Sequence, residues 1–355
     1  MSTTQAVSVA LVGDVMLQTG LEELLGGRDA GFREALARLA AADLAVGNLE
    51  VPLSRRGSKV LKHSNLRADP DRIADVRAMG FDAVSLANNH LMDYGPQALL
   101  DTLAACDGAG VGRCGAGATL EEVLAPAWLE ARGRRLALLS VSCTLPPGCE
   151  ATETDPGIAP LRVAMSFETD TNLLAEQPGT MPLVHTWTRP EDQEVVCGRV
   201  SALAREADAV IVAIHWGVPA YWLSPHQGLL AEYQQPLGRA LIDAGATVVL
   251  GHHSHSLHGI EVYRGRPICY SVGNFIFERP RAFMEPESVI VHARFEPGGA
   301  VRVGLTPLMV DERGLPELAT GEAAERVFAL LERVSAPFGT RFAREGEDVV
   351  VLADE

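Results

Sequence analysis

The sequence predicts an α/β fold, and three observations carry that expectation. Short apolar, β-rich runs alternate along the chain with segments of helical spacing. Several runs end in Asp, Glu, Asn or His, the position where α/β sheets collect their ligands. With 355 residues, 47% of them hydrophobic, the chain can bury a large core. That excludes a disordered tail, a collagen-like repeat and a disulfide-stapled miniprotein.

The elements follow in order. Residues 7–12 read as a first strand that runs into Gly13-Asp14. Residues 31–41 have helical spacing, and 44–46 form a strand ending at Asn48-Leu49-Glu50. A helix over 71–79 closes on Gly80, and a strand over 83–86 ends at Asn88-Asn89-His90. The next helix, 96–105, has Pro96 in its first turn, where the missing N–H costs nothing. Residues 136–141 are a strand and 195–207 a helix. A strand over 209–214 ends at His215-Trp216-Gly217, and a helix over 229–244 closes on Gly245. The strand 247–250 ends at Gly251-His252-His253-Ser254-His255. Strands 259–263 and 267–271 are joined by the turn Arg264-Gly265-Arg266. Residues 289–295 and 301–308 alternate as antiparallel strands, and 323–334 form a last helix. The Pro- and Thr-rich stretch 144–194 has weak periodicity and reads as a surface excursion, a lid or substrate loop.

Charge and cysteine content narrow the function. With 30 Lys+Arg against 46 Asp+Glu, the formal charge is −16. So acidic a chain does not offer a broad basic face to nucleic acid, nor a polybasic membrane anchor. The six cysteines contain no CxxC pair, so the expectation is reduced, partly buried thiols. No apolar run is long enough to span a bilayer, and no basic-then-apolar leader precedes the first strand. The expectation is a cytoplasmic protein without a membrane anchor, its oligomeric state open.

The strand-end residues suggest a metal site. Carboxylate, amide oxygen and imidazole together suit Mn, Zn, Fe or Mg. Each cluster alone has an ordinary structural explanation: Gly-Asp as a turn, Asn88-Asn89 as turn chemistry, a lone His as a bonded core residue. His252-His253-Ser254-His255 is harder to explain so, because three imidazoles in four residues would be costly if buried and unpaired. A carboxylate set between two cations can bridge them, and such a pair about 4 Å apart can hold a phosphoryl or carbonyl group and acidify a water.

The order GD, NxE, NNH, HWG, GHHxH resembles the CapA family of poly-γ-glutamate capsule synthesis proteins, within the calcineurin-like metallophosphoesterase superfamily. The strings that carry it are NLEVPLS at 48–54, SLANNHLMDYG at 85–95, IHWG at 214–217, LIDAGA at 241–246 and GHHSHSLHGIEVYRGRPICYSVGNFIF at 251–277. The resemblance implies a four-layer α/β/β/α sandwich in one domain over 1–355, with the excursion at about 144–194 and a C-terminal extension after about 310. It also implies two divalent metal ions. Asp14 and His255 would hold the first, Glu50 would bridge, and Asn89, His215 and His253 would hold the second, with His252 as the alternative to His253. His90 would act beside the substrate as acid or electrostatic stabiliser.

Departures from the superfamily pattern bear on the site. Met16 stands where a His usually follows the first Asp, and Glu50 stands where an Asp usually bridges. Val218-Pro219-Ala220-Tyr221 replaces the Glu-Tyr that often follows His-Trp-Gly in relatives. Further candidates have two readings each. Lys62 and Arg67 could grip an anion or lie in a solvated loop. Asp93 could orient His90 or cap the helix at Pro96. Trp216 and Tyr221 could wall a substrate pocket or pack in the core. Asn274 could bond a metal ligand or close a turn, and His185 and His226 could belong to a lid.

The leading expectation is a metal-dependent hydrolase in which activated water attacks a phosphoester or related bond of a small-molecule or polyanionic substrate. The alternatives are an enzyme that processes γ-glutamyl or peptide-like amides, and a non-catalytic protein of capsule assembly.

Overall fold

The computed structural model describes residues 5–26, 30–223, 229–278, 280, 283–346 and 348–352, with the side chain of Ala220 left aside. The chain is an α/β protein built on two large sheets. In the larger sheet, the first strand Val7–Met16 lies beside Leu44–Leu49, followed by Ala83–Ser85 and Gly112–Cys114, all parallel. On its other side Val7–Met16 pairs antiparallel with Glu287–Phe295, which pairs with Val301–Val310. The smaller sheet runs Ile260–Tyr263, Arg266–Cys269, Val248–His252, Ala209–His215, Arg134–Ser142, Ala127–Ala131. Its centre is parallel and its two ends are hairpins.

The apolar pattern explains the burial. Parallel strands are covered on both faces, so they read as nearly continuous apolar runs; Ala209–His215 is buried at every position. One core cluster joins the two sheets, with Val9, Leu11 and Val46 meeting Leu136, Leu138 and Ile211. A second packs the larger sheet against helices Ala30–Ala40, Arg72–Ala78 and Pro96–Ala109 through Phe32, Ile73 and Leu99. A third packs the smaller sheet against helices Pro190–Leu203 and Gln234–Asp243 through Val200 and Leu237.

Helix ends follow local chemistry. Pro96 opens its helix and Gly110, at φ 67°, closes it in the left-handed region that glycine enters without a Cβ clash. Three expected helices have different bounds, the 96–105 helix running on to Ala109. The 195–207 helix is Pro190–Leu203, because Pro190 starts it at N1, and the 229–244 helix is only Gln234–Asp243.

The stretch 144–194 divides, and only part of it is a surface excursion. Cys149, Ala151, Ile158, Ala159 and Leu161 are buried: Ala151, Ala159 and Leu161 join the core of the smaller sheet, Cys149 and Ile158 join the helix-side core of the larger one, and Ser142 bridges Pro160. The outer part is an antiparallel pair, Val163–Glu168 with Leu183–Thr188, around the short helix Thr171–Glu176. Beyond residue 310, Pro316–Leu318, Arg341–Glu345 and Asp348–Leu352 extend the larger sheet, and helix Glu322–Ser335 packs Val327 and Leu331 into the inter-sheet core. Among the described residues no helix is long and apolar enough to cross a membrane. All six cysteines are free thiols, and burial raises the pKa of Cys114 and Cys269 to about 12.

Candidate metal centre

Strand register brings the polar strand ends together. On the larger sheet Asp14 lies opposite Asn48 and Asn274, and Asn48 opposite Ser85. On the smaller sheet His215 lies opposite His252 and Ser142. The two rows meet where His252 Nε2 lies 3.1 Å from the Val12 carbonyl and the His253 N–H donates to Asp14 at 3.2 Å. Gly13 permits the close approach: a Cβ there would stand 1.9 Å from the Gly273 carbonyl oxygen.

Glu50 is shared by two groups of ligand-type atoms. One group is Glu50, His215 and His253, and the other is Asp14, Glu50 and His255; within each, the atoms lie within 4.8 Å of one another. Asn89 joins the first, its Oδ1 at 2.9 Å from His215 Nε2, which is 3.0 Å from His253 Nδ1. Glu50 Oε1 lies 3.5 Å from His215 Nε2 and 3.9 Å from His255 Nε2. Ligand bonds of about 2.0–2.2 Å bring neighbouring donor atoms to this sort of spacing. His253 and His255 both have positive φ, 95° and 53°, a strained backbone that aims both imidazoles into one centre.

The residues fit a pair of cations. Both Glu50 carboxylate oxygens are buried and, among the described residues, have no hydrogen-bond partner. A carboxylate left so is costly unless protonated or met by a cation. Burial and then the Asp14 charge push Glu50 well above the usual carboxylate range. For Asp14 burial pulls upward, but the His255 hydrogen bond and the nearby imidazoles hold its pKa low. Burial lowers His215 strongly and His253 to about 3, leaving neutral rings, the form that binds metals.

A second layer orients these groups. Asn48 Nδ2 donates to Asp14 at 2.8 Å, and Asn274 Oδ1 lies 2.9 Å from His255 Nδ1. Asn88 accepts the N–H groups of His90 and Leu91, so it builds the loop that presents Asn89. His90 Nδ1 lies 2.6 Å from Asp93 Oδ2, an oxygen that also accepts the Leu66 N–H. The carboxylate therefore assigns the ring proton to Nδ1, and Nε2 faces Glu50 Oε1 at 3.9 Å. Lys62 donates to Asp93 Oδ1 at 2.6 Å and to the Asn89 carbonyl. Asp93 therefore stands beside His90 rather than at a helix start; the cap position before Pro96 is Gly95.

Other expected residues lie elsewhere. Trp216 is buried, stacks on Tyr270 at 5.6 Å and donates to the Tyr270 carbonyl, so it is core and not pocket wall. Tyr221 is 82% exposed and does not line the cleft. Arg67 places its guanidinium over the Tyr94 ring, 4.1 Å from the centroid, away from the cleft. His252 bonds the Val12 carbonyl and belongs to neither ligand group. Met16 is buried in the helix-side core. His185 pairs with Glu168 and Glu232 on the outer hairpin, and His226 lies outside the described residues. Sequence reasoning passed over Trp222, Phe277 and Phe283, which line the cleft with His90, His253 and His255. Phe283 lies outside the quoted strings, Phe277 only closes the last of them, and the pairing of Asn274–Phe277 with Val7–Met16 brings Phe277 in.

Two sheets meeting on a shared buried carboxylate define an α/β protein with a candidate two-cation site. Residues 8–279 match the family described as bacterial capsule synthesis protein PGA_cap, and the chain belongs to that family. It is 26% identical to the capsule biosynthesis protein CapA of Bacillus anthracis, over 93% of this chain and 74% of that one. It is 28% identical to the PGA biosynthesis protein CapA of Bacillus subtilis, over 86% and 72%. A probable polyglutamine synthesis accessory protein of Mycobacterium tuberculosis is also 28% identical, over 97% and 95%.

Proposed function

We propose that this protein is a metal-dependent hydrolase of phosphoesters or related bonds, folded as one four-layer α/β/β/α domain over 1–355. The observation that carries the reading is Glu50, buried, without a hydrogen-bond partner among the described residues and shared by two ligand groups. Asp14 and His255 would hold one divalent cation, and Asn89, His215 and His253 the other, with Glu50 between them. Bound there, the cations would neutralise substrate charge and lower the pKa of a water.

The chain's own residues do the rest. Asp93 fixes the His90 tautomer with the proton on Nδ1, so the bare Nε2 is aimed at the centre to take a proton from the attacking water and then pass it to a leaving oxygen. Lys62 holds Asp93 in place.

Metal analysis of the purified chain, with turnover on a phosphoester and amide panel, tests this. Two cations per chain are expected, falling in Glu50→Gln and His253→Ala, and phosphoester turnover should exceed that of His90→Ala. Unchanged metal content in Glu50→Gln, or no turnover above His90→Ala with any of several metals, overturns it. The names of the relatives favour a second reading, cleavage of γ-glutamyl amides at the same centre. Release of phosphate without amide cleavage rejects that reading.

A further inference from the structure

The cleft beside the candidate metal centre has a volume of about 180 Å³ and a mixed lining. Asn89, His90, His253 and His255 line it together with Lys62, His63 and Ser64. Its apolar lining is Leu66, Pro219, Trp222, Phe277, Phe283 and Met284. Trp222 is 58% exposed, and its ring lies 5.4 Å from that of Phe283 at a tilt of 40°. Phe283 is in turn 6.1 Å from the His255 ring, and Phe277 is 4.8 Å from it. The aromatic wall therefore continues directly into the candidate ligands. An indole left this open beside buried polar groups loses apolar burial that an occupant would restore.

Charge in the cleft points the same way. Lys62 is the one Lys or Arg lining it among the described residues, and its ammonium is paired with Asp93 at 2.6 Å. A polyanionic chain carries a carboxylate on every unit and would need repeated cations along its track. This cleft supplies rings and aliphatic groups in that place. Its volume suits a single ring with one reacting group, since a cavity of about 150 Å³ accepts benzene.

We infer that the substrate is a small molecule joining one anionic ester centre to a flat, uncharged aromatic or similarly apolar group, which Trp222 and Phe283 hold as the leaving side. The inference rests on the proposed hydrolase reading and names its substrate class. In the reaction one water forms the new bond to the ester centre. The bond from that centre to the leaving oxygen breaks, and the leaving group departs as the alcohol or phenol with a proton.

The test uses non-hydrolysable probes on the Mn²⁺-loaded full chain, read by titration calorimetry. Phenylphosphonate should bind about tenfold more tightly than methylphosphonate, in line with one aromatic contact. Trp222→Ala and Phe283→Leu should erase that margin by weakening phenylphosphonate more than methylphosphonate. Equal affinity of the two probes, a margin that survives both substitutions, or tighter binding of tri-γ-glutamate overturns the inference. Phenol serves as a metal-independent probe. It should quench indole emission in wild type and less in Trp222→Phe; an equal response in both proteins also overturns the inference. Failure of metal or methylphosphonate binding counts against the hydrolase reading itself, so the two failures are separable.

Discussion

At the scale of single residues, the candidate centre depends on which atoms remain free to bind. His252 and His253 are neighbours in sequence, yet one ring bonds the Val12 carbonyl and the other lies 3.0 Å from His215. Asp93 acts through His90, whose proton it fixes at Nδ1. On the proposed reading, Asp93→Asn should lower kcat by about 10²–10⁴ while KM and metal content stay close to wild type. Steady-state kinetics with metal analysis checks this, and a matched fall in metal content would give Asp93 a merely structural role. The polar members of the centre were legible because Asp, Glu, Asn and His at strand ends stand out from apolar runs. The apolar wall was not, because Trp222 and Phe283 look like any other aromatic until a fold gives them neighbours.

At the scale of elements, the centre exists because strands end together. Asp14 reaches it through parallel pairing of Val7–Met16 with both Leu44–Leu49 and Asn274–Phe277. The last pairing requires Gly13, where a Cβ would stand 1.9 Å from the Gly273 carbonyl oxygen. Gly13→Ala should destabilise the fold by about 1–3 kcal/mol, as overpacking does, and weaken metal binding with it. Urea unfolding and metal analysis give the two readings. Gly110→Ala offers a contrast at a helix end far from the centre: a left-handed alanine should cost about 1–2 kcal/mol and leave metal content unchanged. Strand positions were readable from alternation and composition. The bounds of the 190–203 and 234–243 helices were less so, because proline and buried polar contacts override local periodicity.

For the whole molecule, burial of neutral imidazoles makes acid a threat. His258 is buried, and burial lowers its pKa to about 4. Its unfolded value is about 6.5, so between those values the unfolded chain binds more protons than the native one. The native-state advantage is therefore complete above about pH 6.5 and shrinks as pH falls toward 4. From pH 7 to pH 5 this one residue should account for about 2 kcal/mol of lost stability. Urea midpoints across that range should fall less steeply in His258→Leu than in wild type, and parallel slopes would show that His258 contributes nothing to acid sensitivity.

What the amino-acid order determined by itself was the α/β class, the strand and helix succession and the set of polar strand-end residues, because periodicity and local chemistry act over a few residues. Tertiary structure alone decided which of two adjacent histidines reaches the candidate centre and that Trp216 packs in the core while Trp222 faces the cleft. It also decided that Cys149, Ala151, Ile158, Ala159 and Leu161 are interior. Those outcomes follow from register between strands hundreds of residues apart, as in the contact of Val12 with His252, and no short-range pattern encodes such a distance.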